Sequence, residues 1–520
     1  MKDYLNQLSS IKLSSELRRG IEKESLRVTP DGYISERPHM EALGSALTHP
    51  SITTDYSEAL LEFVTPVFND AKKLIEFLEE IHIFTLKEMG DELLWANSMP
   101  CLLKKEETIP IANYGTSNIG TMKSVYRKGL KSRYGSGMQA ISGIHFNFSL
   151  SDVCFEELQK ICPSEKMSFK DFKSARYMNA TRNIHRFSWL IPFLFGSSPA
   201  ICRSFLNKAP KDFGLSKFDE KGTLYFEGST SLRLSNLGYT NSEQGKINIC
   251  YNDINSYAKG LREAITTTEP RYEAMGLKEN GEFKQLNTNI LQIENEYYSG
   301  VRPKRVTKTG ESPTNALLDR GVEYIELRSV DVNSYSPIGV ELEQILFLDV
   351  FLIYCLLKDH DGLCSERTKR FRDNQELVAR HGRKKGLTLF DGKTDRCARD
   401  WARETFLELH KVAQKLDSEL GNNDYSKAIS KYEVAIDDTS VLFSERILNE
   451  MKETGLCFFG ATLARSKKFS GDLKSRTLEP SVLEKLKDEA LKSHQKQKDI
   501  EASDTMGFSD FLENYFSQNR

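Results

Sequence analysis

Two strand-like segments about 300 residues apart in the chain carry charged side chains on one face at every second position. They read Gly20-Ile21-Glu22-Lys23-Glu24-Ser25-Leu26-Arg27-Val28 and Val322-Glu323-Tyr324-Ile325-Glu326-Leu327-Arg328-Ser329-Val330. Side chains alternate faces along extended backbone, so Glu22 aligns with Glu24, and Glu326 with Arg328. Ile21, Ile325 and Leu327 then face the opposite side. A fold that accepts both segments needs a sheet with one packed face and one face that gathers carboxylates and an arginine. Such a face is a floor for divalent cations and phosphates.

The rest of the chain narrows the function classes. With 72 basic against 74 acidic side chains and a net charge of -2, the sequence lacks the dominant basic stripe of a nucleic-acid binder. Basic runs at 367–372 and 383–385 read as solvated helix faces and loops. The N-terminus has no apolar signal-peptide core. The longest apolar stretch, 345–357, contains Asp349 and falls short of the roughly 20 residues that span a bilayer, so it reads as a buried core helix. Nine cysteines without a Cys-x-x-Cys pair fit free thiols in a reducing cytoplasm.

No repeat, low-complexity tract or Pro/Ser-rich linker divides the 520 residues, which predicts one catalytic domain: a sheet-rich body over 1–340 and a mainly helical packing region over 341–520. Leu74, Phe77, Leu78, Ile81 and Phe84 recur at helical spacing, with Gly90 placed to end that helix. Ile144, Phe146, Phe148 and Leu150 alternate with His145, Asn147 and Ser149, which predicts a half-buried strand with a polar face. Helices are expected at 342–357, 401–416, 440–451 and 480–493, with the last 40 residues forming an exposed helix on the main body. Strands and helices without regular βαβ alternation give an α+β fold.

Carboxylates dominate the candidate chemistry. Glu62, between Leu61 and Phe63, adds a third acidic strand position to Glu22, Glu24 and Glu326, with Asp55 close by in sequence. Clustered carboxylates repel one another unless cations neutralise them, and magnesium, with its preference for oxygen ligands, is the expected ion. His145 supplies either a nitrogen ligand or a hydrogen bond. Tyr126-Arg127, Arg233 and Arg302-Pro303-Lys304-Arg305 offer cationic groups for carboxylate or phosphate recognition. Gly135-Ser136-Gly137-Met138-Gln139-Ala140 matches a dinucleotide fingerprint in letters only, because a strand follows where a helix should begin. Neither a P-loop nor a G-x-S-x-G elbow is present.

Several of these segments together resemble the proteobacterial type of glutamate–cysteine ligase. They include Gly20-Ile21-Glu22-Lys23-Glu24-Ser25-Leu26-Arg27, Glu41-Ala42-Leu43-Gly44-Ser45-Ala46-Leu47-Thr48-His49, Ala59-Leu60-Leu61-Glu62-Phe63-Val64-Thr65-Pro66, Leu291-Gln292-Ile293-Glu294-Asn295-Glu296 and Tyr324-Ile325-Glu326-Leu327-Arg328-Ser329. The likeness runs from about residue 18 to beyond residue 460.

The resemblance implies a fold related to glutamine synthetase: a curved, mostly antiparallel sheet forming an active-site funnel, with helices outside. It implies ATP-dependent joining of the γ-carboxylate of L-glutamate to the amine of L-cysteine through γ-glutamyl phosphate, the first step of glutathione synthesis. The alternative is a γ-glutamyl ligase for another amine. Magnesium, with manganese as a substitute, is implied at Glu22, Glu24, Asp55, Glu62, His145 and Glu326. Tyr126, Arg127, Gln139, Arg233, Tyr239 and Tyr298 are implied around the substrates, with Arg328 as the catalytic cation on the transferred phosphoryl group. Glutathione is implied as a feedback inhibitor. Some relatives carry a redox-responsive cysteine pair; Cys101 matches one member, and its partner here would be Cys154 or Cys162. Some also carry a following ATP-grasp domain, for which this length leaves no room, so a separate synthetase is expected to complete the tripeptide.

Overall fold

The strand pattern centred on Glu22 becomes the middle of a seven-stranded sheet in the computed structural model, which describes residues 4–8, 11–100, 102–103, 108–162, 167–206, 213–238 and 247–518. The strands are β1 (Leu17–Val28), β2 (Ile52–Thr54), β3 (Leu60–Val64), β4 (Leu93–Leu94), β5 (Ile144–Leu150), β6 (Val301–Lys304) and β7 (Tyr324–Val330). They lie in the order β6-β7-β5-β1-β3-β2, with β4 paired to the end of β1, and every pairing is antiparallel. The two charged segments thus sit on strands separated only by β5.

Register settles which side chains share a face. Ile21 is opposite Phe146, Lys23 opposite Phe63 and Ile144, and Ile325 opposite Phe148. This side enters a core shared with α1 (Ala71–Glu88), α3 (Phe169–Phe187) and α4 (Leu342–Leu357). A further helix, α2 (Asn118–Tyr134), precedes β5 in the chain. Helix α4 has the bounds expected of it, with a Glu341/Gln344 capping box and continuous burial from Gln344 to Leu357. Its Asp349 is matched by Arg19 on β1, whose Nε and Nη2 donate to Oδ1 and Oδ2 at 3.0 and 2.8 Å. Among the described residues no helix is long and apolar enough to cross a membrane.

The C-terminal part is helical, including α5 (Ala398–Leu420), α6 (Asp424–Glu433), α7 (Pro480–Ser503) and α8 (Phe508–Ser517). The helix expected at 440–451 is Phe443–Thr454. The one expected at 480–493 extends ten residues further, because its later turns clasp loops from the N-terminal third of the chain. Ser493 Oγ accepts from Ser45 N at 2.9 Å, and Glu501 Oε1 accepts from Thr116 N at 2.9 Å. One basic run departs from expectation. The Arg383 side chain is only 7% exposed; it pairs with Glu445 and donates to the carbonyls of Ser229 and Glu227 at 2.9 and 2.7 Å. Lys23 is the other surprise, since alternation sends it to the core side. There its Nζ lies 2.5 Å from Ser25 Oγ and 2.9 Å from His82 Nε2.

Candidate active site

On the other side of the sheet, Glu22 stands opposite His145, Glu24 opposite Glu62, and Glu326 between Asn147 and Arg302. One oxygen each from Glu22 and Glu326 and one nitrogen of His145 lie within 4.8 Å of one another. His145 Nδ1 is 3.3 Å from Glu22 Oε2 and 3.9 Å from Glu326 Oε1, and Nε2 is 3.6 Å from Glu24 Oε1. Asn147 donates to Glu22 at 2.8 Å, and the Gly143 N–H donates to Glu24 at 2.6 Å. Each oxygen of Glu326 meets a cation: Lys304 Nζ at 3.7 Å from Oε1 and Arg328 Nη1 at 3.3 Å from Oε2.

Electrostatics divides the carboxylates into two groups. Burial opposes ionisation of Glu326, but Lys304, Arg328, His145 and Arg302 together hold it well below the usual carboxylate range. Glu22 is also held low against burial, chiefly by its hydrogen bond with His145. His145 is itself pushed down by burial and by Arg328, which favours the neutral imidazole that can act as a ligand. Glu24 behaves oppositely: burial and the Asp55 carboxylate push it up to about 8. Glu62 is pushed well above its ordinary value by burial and by Glu22, Asp55 and Glu24. A divalent cation among these groups would relieve that repulsion. The donor set of hard oxygens with one imidazole fits magnesium, and Glu326 Oε2 is buried without a hydrogen-bond partner among the described residues.

Cationic and aromatic groups surround this floor. Arg233 donates to the carbonyls of Arg328 and Val330 at 2.8 and 3.3 Å and lies 3.6 Å from Asp331. Gly143 lies directly beneath it, where a Cβ would come within 2.0 Å of Arg233 Nη2 and displace the guanidinium. Tyr298 is half-exposed above the same region, and burial raises its phenol despite the nearby Arg233 and Arg328. Tyr126, on α2, is raised by burial and by Glu296. Arg127, one residue on, donates to the Asp55 carbonyl and, at 3.0 Å, to the Lys123 carbonyl, with its guanidinium stacked 4.5 Å over Tyr114. Its visible work is to fix the loop that carries Asp55.

Gln139 sits half-buried on the single 3-10 turn between α2 and β5; among the described residues its side chain makes no hydrogen bond to the carboxylates. Tyr239 and Cys101 lie outside the described residues, while Cys154 and Cys162 are free thiols. Arg302 and Lys304, offered by the sequence as cationic groups, both stand beside Glu326, while two contributors were absent from the expected set: Asn147 and Asp331. Asn147 shares the polar face of β5 with His145, so alternation could have revealed it. Asp331 had no local signal, because its role arises only where Arg233 folds back onto the sheet.

An antiparallel sheet with an acidic, arginine-bounded face and helices packed behind it has close relatives. The glutamate–cysteine ligase family model matches residues 3–378. A glutamate–cysteine ligase from Erwinia tasmaniensis is 45% identical over 502 residues, covering 95% of each chain. Another, from Alcanivorax borkumensis, is 43% identical over 505 residues, covering 96% of this chain and 95% of its own. The crystal structure of glutamate–cysteine ligase from Francisella tularensis in complex with AMP superposes with a TM-score of 0.90 at 36% identity, covering 96% of this chain and 98% of that one. The chain therefore belongs to the glutamate–cysteine ligase family.

Proposed function

We propose that the protein uses ATP to join the γ-carboxylate of L-glutamate to the amine of L-cysteine, giving γ-glutamylcysteine, ADP and phosphate in the cytoplasm as the first step of glutathione synthesis. The observation that carries this reading is the convergence of Glu22, His145 and Glu326 with Lys304 and Arg328 on one sheet face.

A carboxylate at neutral pH is a poor electrophile, so its γ-oxygen first attacks the terminal phosphorus of ATP and ADP leaves. The cysteine amine then attacks the γ-glutamyl phosphate carbonyl and phosphate departs, with one proton released from nitrogen. No enzyme nucleophile is needed, so the chain's task is positioning and charge stabilisation. Arg328, pinned against Glu326, presents a fixed guanidinium to the negative charge that spreads over the phosphoryl oxygens. Lys304, 27% exposed, adds a second cation on the opposite oxygen of Glu326.

Glu22, His145, Glu326, Glu24, Glu62 and Asp55 would hold magnesium, or manganese in its place. When bound, the ion screens the phosphate charges and orients their oxygens. Arg233, braced by Asp331, would receive a substrate carboxylate, Gln139 would line the amino-acid and phosphate sites, and Tyr126, Tyr239 and Tyr298 would shape the cysteine site. Arg127 would line it through the Asp55 loop. Glutathione, which contains the γ-glutamyl group, would compete with glutamate; rates at varied concentrations of both test this.

The deciding experiment follows ADP release from purified protein with ATP, magnesium and L-glutamate, with and without L-cysteine, and identifies the product by mass spectrometry. Cysteine-dependent release matched by γ-glutamylcysteine is expected. Release that requires another amine would leave the ligase chemistry with a revised second substrate, and no amine-dependent release would end the reading.

A further inference from the structure

The helix Phe458–Lys474 begins against a small antiparallel sheet in which Ala200–Cys202 pairs with Thr223–Tyr225. Its first three amides have no acceptor within the helix, and each finds one on a different residue. Phe458 N donates to Thr223 Oγ1 at 3.0 Å, the Phe459 N–H to Cys202 Sγ, and Gly460 N to Cys457 Sγ at 3.4 Å. Two sulfurs far apart in sequence thus cap adjacent amides of one helical turn. Cys202 and Thr223 are themselves cross-strand partners, so the three acceptors converge on one point.

The two thiols differ in access. Cys202 is 8% exposed and packs with Phe458 and Ala461 in an apolar cluster apart from the main core. Burial, with the Cys457 sulfur beside it, pushes the Cys202 thiol up to about 12. Cys457 is half-buried and follows Leu456, which is 38% exposed. Both are free thiols, and neither belongs to the pair that the resemblance implies. A thiol open to solvent beside a second, protected one is the arrangement of an attacking and a resolving cysteine.

We propose that Cys202 and Cys457 form a reversible oxidation site, joined by thiol–disulfide exchange with a small-molecule disulfide. The Cys457 sulfur attacks one sulfur of that disulfide, giving a mixed disulfide and one small thiol, which carries away the Cys457 proton. The Cys202 sulfur then attacks Cys457 Sγ, the bond from Cys457 to the small molecule breaks, and a second small thiol leaves with the Cys202 proton. Two protein thiols are oxidised while one disulfide is reduced to two thiols, and no other reactant is needed. The new bond fastens together two supports of the active site. The helix Phe458–Lys474 holds the segment before Asn97, because Ser466 Oγ accepts from Ala96 N at 3.0 Å, and Cys202 closes the strand that follows Ser198, whose Oγ donates to Asp331 at 2.6 Å.

The test treats the reduced full chain with 2-hydroxyethyl disulfide, which carries no γ-glutamyl group to occupy the active site. Alkylation of the remaining thiols and peptide mass spectrometry then read the bonds formed. Expected are the loss of two thiols, a joined peptide pair containing Cys202 and Cys457, and a thermal unfolding midpoint raised by about 3–5 °C, all reversed by dithiothreitol. Cys457→Ser, whose hydroxyl keeps a cap for Gly460, should stay folded and show neither the joined peptides nor the rise. Oxidation that stops at a mixed disulfide on Cys457, or joined peptides that form only in urea, would overturn the proposal, as would the same rise in Cys457→Ser. Joined peptides without any rise would overturn the fastening of the two supports.

Discussion

Glu326 lies where Lys304, Arg328, Arg302 and His145 converge, and each of its oxygens faces a different cation. Replacing it with glutamine keeps the shape but removes the charge around which those groups are arranged. The expected result for Glu326→Gln is a loss of turnover of about a hundredfold or more, with unchanged circular dichroism; near-normal rates at saturating magnesium would exclude it from the site. On the proposed role of Arg328, Arg328→Lys should lower kcat more than it raises the glutamate KM, because a point charge replaces a planar fork. A change in KM alone would assign Arg328 to substrate recognition. Strand parity made Glu22, Glu24 and Glu326 legible as one face in the sequence, since alternation is local and rigid. It also sent Lys23 to the core, where burial pushes its amine down to about 7, and nothing in the sequence shows that Ser25 and His82 receive it.

At the scale of elements, Arg19 and Asp349 lock the catalytic strand β1 to the buried helix α4, and Tyr425 of α6 donates to the same carboxylate at 3.3 Å. Removing one partner of a buried pair leaves an uncompensated charge. Asp349→Ala should therefore cost about 3–5 kcal/mol in urea unfolding, while the double change Arg19→Met with Asp349→Leu should recover most of it. Equal loss in both variants would show that the helix, and not the ion pair, sets the cost. Periodicity gave the bounds of α4 but had no means of pairing Asp349 with a residue 330 positions away. Helix α3 carries a pH liability of its own: burial, with Arg372 and His360 nearby, pushes His185 down to about 3 from an ordinary 6.5. Below pH 6.5 the unfolded chain takes up a proton that the folded chain refuses, so this stability is whole above 6.5 and declines as pH falls toward 3. The difference in unfolding free energy between wild type and His185→Phe should shift against the wild type by about 1.4 kcal/mol per pH unit in that window. Parallel profiles in denaturant titrations at about pH 7.5 and about pH 5 would rule this out.

Across the whole molecule, the C-terminal helices are tied to the loops and helix that frame the active site, a link that composition could describe only as an exposed helix on the main body. Leu512 and Tyr515 of α8 pack with Met122 and Val125 of α2, forming an apolar cluster separate from the main core. The Asn118 side chain at the start of α2 donates to the Met506 carbonyl at 2.9 Å. Helix α7 places Ser493 against Gly44, where φ is +85° and a Cβ would lie 2.4 Å from the serine hydroxyl. Because α2 carries Tyr126 and Arg127, loosening it should act on the proposed amino-acid site, whereas Lys304 and Arg328 stand on β6 and β7. Deleting residues 505–520 should therefore raise the cysteine KM by about fivefold, equivalent to about 1 kcal/mol, with the ATP KM changed by less than about twofold. The main core does not depend on that cluster, so the global unfolding midpoint should move little. A truncated chain with wild-type kinetics would mean that α2 holds its position without α8; a collapse of the unfolding midpoint would mean that the small cluster is part of the cooperative core and that the two ends of the chain fold as one unit.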